Sequence, residues 1–214
     1  MTLIPPQSGE RATSLTVVGT IAGEEIARLQ RGYLDGRSDA TAALARLRRG
    51  AGRDAAAVPD LWGLLDLAPL HEAADLHQTR AEDALYTALT LWSVHQQSQR
   101  SPMHRRGQEL GAAVRRLMKP GEIDQAILKR FTRAGTAPTL PLLAVRLREI
   151  VTLLRRDEIG LDYALLADQL YRWQFPGAAD GVRRSWGRSF DAHRRSNEAD
   201  SPVAAPDDAS TATP

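Results

Sequence analysis

Two sets of residues in this chain have the types and spacing to do chemistry. The first is HEAAD, His71 to Asp75. It opens like the HExxH pattern of zinc hydrolases, in which two histidines one helical turn apart hold the metal and the glutamate acts as base. Here Asp75 stands in place of the second histidine, Pro69 lies two residues upstream, and His77, His95, His104 and His193 fall at no ligand spacing. Neither a metal nor a cofactor is expected. Asp66, Glu72, Asp75, Glu82 and Asp83 are dense enough to suggest paired carboxylates, but acids so placed on short helices are ordinarily solvated or paired with arginine. The chain has no Gly-rich phosphate loop, no GxSxG and no cysteine, so the loop, elbow and thiol chemistries lack their residues. An enzyme is not expected.

The second set is cationic. Over 214 residues the net charge is only +2, yet residues 90–156 carry 13 basic groups against Glu109, Glu122, Asp124 and Glu149, a net of +9. Residues 24–89 carry 8 basic and 11 acidic groups, residues 157–195 balance at six each, and Ser196 to Pro214 has four acids and no base. Such asymmetry points to a polyanionic partner more strongly than the overall charge does. Arginine outnumbers lysine 26 to 2, as a GC-rich coding sequence would give, so placement carries the argument and residue identity does not.

That placement is repeatedly unfavourable for the isolated helix. Lys129 and Arg133 lie opposite the apolar stripe Ile123, Ile127, Phe131, and like charges at i,i+4 cost about 0.2–0.5 kcal/mol. Arg115 and Lys119 repeat the clash one helix earlier, and Arg148 and Arg155 share a flank of the helix whose Leu143, Leu147, Ile150, Val151 and Leu154 face inward. Ahead of these, Arg100, His104, Arg105 and Arg106 have Glu109 as the one nearby acid. Each could be an ordinary solvated side chain whose stem covers apolar surface. Together they suit phosphate, whose oxygens match a guanidinium fork and whose neutralisation releases counterions. Few aromatics are interleaved, so backbone contact without base reading is expected.

The elements that must position these residues are helices. With 43% hydrophobic residues the chain can bury a real core. No β-type alternation persists, and no internal repeat is found. Caps and breakers predict helices over 24–34, 39–49, 80–97, 105–118, 122–133, 138–156, 162–173 and 181–195, with a short DLWGLL piece opened by Pro59. Leu85, Ala88, Leu89 and Trp92 form a buried stripe, Trp186 with Phe190 another, and His95 is read as a polar cap or packing residue. The expected fold is all-α, elongated, with about nine helices in two packed bundles: a flexible arm over 1–23, an N-terminal bundle over 24–98, a basic C-terminal bundle over 99–195 and a disordered acidic tail over 196–214. No run of 18 apolar residues and no signal-peptide pattern is present, so no membrane partner and a cytoplasmic location are expected.

LRRG at Leu47 to Gly50, ALYTALTLWSVHQQ from Ala84 to Gln97, RLREIVTLLRR from Arg146 to Arg156 and VRRSWGRSF from Val182 to Phe190 resemble, in this order, the CasB family, the small subunit of the type I-E CRISPR Cascade complex. The resemblance spans about 24–195. It implies an elongated, all-helical, non-catalytic subunit, two copies of which pack head to tail beside the backbone and large subunits of a ribonucleoprotein. It also implies contact with crRNA and with target DNA, including the displaced strand, through bases that hold phosphate. By that resemblance Arg49, Arg80, Lys129, Arg130 and Arg148 stand where the family places basic groups facing nucleic acid. Glu149 departs from members that have a further base there. The 98–107 loop varies in the family, so Arg105 and Arg106, like Arg133, rest on charge. The competing readings are a helical protein–protein adaptor without nucleic-acid contact and a metal-dependent hydrolase centred on HEAAD.

Overall fold

A computed structural model describes residues 15–50 and 63–199. Among them are nine helices: α1 (Val17–Leu34), α2 (Ser38–Gly50), α3 (Ala68–Glu72), α4 (Gln78–Gln96), α5 (Leu110–Arg116), α6 (Gln125–Gly135), α7 (Leu140–Arg156), α8 (Tyr163–Trp173) and α9 (Ala179–Ala199). No strand occurs among the described residues, so the all-α class holds. The expected arm over 1–14, Asp60–Trp62 of DLWGLL, and the tail over 200–214 lie outside the described residues.

The core runs through both halves of the chain. α4 lies against α1, α2, α7 and α8, and α8 against α1, α4 and α9. Thus Val18, Leu44, Leu89, Trp92, Leu147, Leu170 and Trp186 belong to one buried cluster. Trp186 stacks on Trp173 at 5.4 Å between centroids and donates its indole N–H to Gln169 Oε1 at 2.7 Å. Trp92 and Trp186 are core, as their helical spacing predicts.

Two helices differ from their sequence reading for reasons that lie far along the chain. α1 starts at Val17, not Glu24, so residues 17–23 of the expected arm are helix. The cause is Asp168 on α8, whose buried carboxylate accepts the backbone N–H of Thr16 and of Gly19, each at 2.7 Å, and the Thr16 hydroxyl. A cap normally comes from the adjoining residue; here it arrives from a neighbouring helix far along the chain. Gly19 makes room, since a Cβ there would stand 2.6 Å from Asp168 Oδ1 and 2.8 Å from the carbonyl oxygen of Ala164.

α5 is shorter than expected: Arg105 to Glu109 form a loop instead of its first turn. Their backbone is already engaged, with Leu161 N–H donating to Met103 O at 2.9 Å, Arg105 N–H to Leu161 O at 3.1 Å and Asp162 N–H to Gln108 O at 2.8 Å. These bonds, with the bridge between His104 and Leu161, hold the backbone in a course other than a helix. At the other end, α9 continues to Ala199, into the stretch read as acidic tail.

Candidate nucleic-acid interface

α6 begins at Asp124, whose Oδ1 accepts the N–H groups of Ala126 at 2.8 Å and Ile127 at 3.0 Å. Ile127, Leu128 and Phe131 pack on the core, and Phe131 stacks on Phe190 of α9 at 5.8 Å. Ile123, expected in the inward stripe, precedes the helix and is 38% exposed. The opposite edge presents Lys129, Arg130 and Arg133, all exposed. None of the three makes an ion pair among the described residues; Arg130 donates only to Ala126 O, at 3.2 Å.

The C-terminus of α6 gathers two further cations that the sequence reading did not assign. Arg146 of α7 donates to Arg133 O, and Arg183 of α9 donates to Gly135 O at 2.6 Å while lying over the Trp173 ring at 5.0 Å. Guanidinium groups satisfy carbonyls that a helix end leaves unpaired. Phe131, Trp186 and Phe190 line a cleft of about 420 Å³ beside them. On α9, Arg184 and Arg188 are exposed and make no ion pair among the described residues. Their i,i+4 spacing opposite Val182, Trp186 and Phe190 was the signal available in VRRSWGRSF.

Arg105 and Arg106 project from the loop between α4 and α5. Gln30 of α1 accepts His104 N–H at 2.8 Å, Gln96 of α4 accepts Met103 N–H at 3.0 Å, and Asp162 accepts Gly107 N–H at 2.8 Å while capping α8 through Leu165 N–H at 3.1 Å. His104 Nδ1 accepts Tyr163 N–H at 3.1 Å. Burial, the largest influence, holds the His104 pKa below the usual histidine range; Asp162 opposes it. Both arginines are exposed. The Arg105 stem crosses Gly160, where a Cβ would sit 2.6 Å from its Cδ.

The other predicted site residues are scattered. Arg148 is exposed on α7 and Arg49 on the last turn of α2. Arg80 is half-buried near the start of α4, its guanidinium 4.5 Å from the Phe175 ring centroid. Two cations of the expected flanks face elsewhere. Arg115 is fully buried and donates to Lys119 O at 3.0 Å, so it forms no surface pair with Lys119. Arg155 reaches back to α4, donating to Val94 O at 3.3 Å and Gln97 Oε1 at 3.2 Å. The HQQ helix end is thus structural. His95 is buried against the Tyr163 hydroxyl at 2.8 Å, and burial pushes its pKa down to about 4. In HEAAD, His71 pairs with Glu82 at 2.7 Å, and no three acids or histidines come together as a metal site among the described residues.

Residues 43–190 match the family model described as CRISPR-associated protein Cse2. The fold is similar to the crystal structure of CasB from Thermobifida fusca, at 51% identity and a TM-score of 0.76, covering 84% of this chain and 99% of that one. It is also similar to a CRISPR-associated Cse2-family protein from Thermus thermophilus, at 27% identity and a TM-score of 0.62, covering 81% and 97%. A chain of a CRISPR RNA-guided surveillance complex shares the fold, at 20% identity and a TM-score of 0.62, covering 84% and 98%. Comparison with curated proteins returned no match. With more than half its length matched by the family model and 51% identity to the Thermobifida protein over 84% of the chain, the chain belongs to the Cse2 (CasB) family.

Proposed function

We propose that the chain is the non-catalytic small subunit of a type I-E Cascade complex, helping to assemble it around crRNA and holding target DNA in the R-loop through sequence-independent backbone contacts. Its partners are then the backbone and large subunits, a second copy of itself, crRNA and both target strands, in the cytoplasm. The observation that carries this reading is the α6 edge, where Lys129, Arg130 and Arg133 are exposed without acid partners among the described residues while the opposite edge is anchored on α7 and α9. Exchange of duplex DNA for an RNA–DNA heteroduplex is nearly balanced, so a few phosphate contacts on a displaced strand can tip it. Arg49, Arg80, Arg105, Arg106 and Arg148 stand on other elements and would make separate phosphate contacts in this reading.

Charge reversal of Lys129, Arg130 and Arg133 to Glu tests it. Target-DNA affinity of the assembled complex should fall roughly 10- to 100-fold at low salt, and the log–log salt slope should shrink by about 0.7–0.9 for each phosphate that is no longer neutralised. Wild-type affinity and slope in that variant would remove α6 from the site. A second reading, a protein–protein adaptor, draws on the exposed Leu142 and Val145 of α7, at 37% and 46%. Co-purification of the other subunits that survives complete nuclease digestion would favour it.

A further inference from the structure

α5 and α9 run side by side in the same direction. Glu109, just ahead of α5, lies 3.5 Å from the Ser185 hydroxyl. At Gly111 a Cβ would overlap the carbonyl oxygen of Trp186 and crowd Phe190. One turn further on, Arg116 and Arg115 are close enough to His193 to depress its pKa, an effect second to that of burial. The end of α9 therefore advances alongside the basic end of α5, where Arg116 and Lys119 are exposed. At 1.5 Å per residue, Glu198 lies about 7–8 Å past His193 along the axis. Asp200, Asp207 and Asp208 follow, with no base among residues 196–214. This acidic stretch lies outside residues 43–190 matched by the family model.

We propose that the acidic C-terminal stretch docks on the basic end of α5, around Arg116 and Lys119, and competes there with nucleic-acid phosphate. Tethering makes the stretch a high-concentration local competitor, and being electrostatic it yields as salt rises or as a longer polyanion arrives. The competition rests on the nucleic-acid reading above; the docking does not.

The chain contains only two lysines, Lys119 and Lys129, which makes zero-length carbodiimide cross-linking of the full chain selective. In the monomer fraction, peptide mapping should find Lys119 joined to Glu198 or Asp200 in clear excess over Lys129. The product should disappear when Glu198, Asp200, Asp207 and Asp208 are changed to Gln or Asn. A uniform single-stranded RNA oligonucleotide should bind that neutralised variant roughly three- to tenfold more tightly at low salt, the difference closing once the Debye length falls to a few ångströms. Absence of the Lys119 product, or equal joining to both lysines, overturns the docking even if the variant binds RNA more tightly, since net charge alone would then account for the gain. Equal RNA affinity of the two chains overturns the competition. If the Lys119 product forms but neither chain binds RNA, the docking stands and the nucleic-acid reading of the isolated subunit fails.

Discussion

α4 and α6 are opposites built from the same kind of backbone. Thirteen of the 19 residues of α4 are buried, whereas in the 11 residues of α6 only Ala134 is. α4 touches five other helices and is enclosed on nearly every side; α6 rests one edge on its neighbours and turns three cations outward. A helix enclosed on all sides can carry stability but has no face left to offer a partner. A helix held by one edge contributes little to the core and is free to specialise its surface. The contrast leaves the core to α4 and gives α6 the exposed cations on which the proposed contact with phosphate rests.

The sharpest way to break this contrast is at Trp92, fully buried in the C-terminal half of α4. Trp92→Ala should destabilise the fold by about 3–5 kcal/mol, read as a shift of the urea unfolding midpoint. An α6 variant with as large a loss would erase the distinction. The second expected effect is pH-dependent. His95 is held neutral by burial, with its pKa lowered from 6.5 to about 4, so the unfolded chain binds more protons between those values. Stability is fully present above about pH 6.5 and falls as pH drops towards 4, by about 3 kcal/mol if His95 acts alone. Unfolding curves across that window should show the loss, and His95→Gln should flatten it.

Third, charge reversal of Lys129, Arg130 and Arg133 should leave thermal stability within about 0.5 kcal/mol of wild type, as surface changes usually do, while reducing nucleic-acid affinity. Loss of both together would mean that α6 carries part of the fold. The smallest effect expected is at Gly187, a helical position of α9 with open space where a Cβ would go. Gly187→Ala should raise stability by about 0.5–1 kcal/mol, measured by the same denaturation.

How much of this was legible in the sequence depended on where each cause lies. Helices ended by their own neighbours were readable: Asp124, Thr139 and Asp162 cap α6, α7 and α8 from the adjoining residue. The start of α1 was not, because Asp168 stands 149 residues away from the Gly19 N–H it accepts. The Arg105–Glu109 loop was hidden in the same way, since its helix-like composition is overridden by bonds to Leu161 and Asp162. Among the cations, periodicity placed Lys129 and Arg133 correctly outward, while Arg130 entered through the family resemblance. It misjudged Arg115 and Arg155, whose long side chains turn inward to backbone carbonyls that no local pattern reveals, and it left Arg184 and Arg188 unassigned in a motif read for its aromatics and its family resemblance.

The loop that carries Arg105 and Arg106 has a kinetic and entropic consequence. Its backbone is held by Gln30, Gln96, Leu161 and Asp162 before any partner arrives, so binding there need not order main chain, which otherwise costs about 1–2 kcal/mol per residue. Only side-chain rotations remain to be frozen, about 0.5–1.5 kcal/mol for each immobilised arginine. In the proposed interface a phosphate would meet a main chain already in place, and its attraction would be spent on ordering side chains alone.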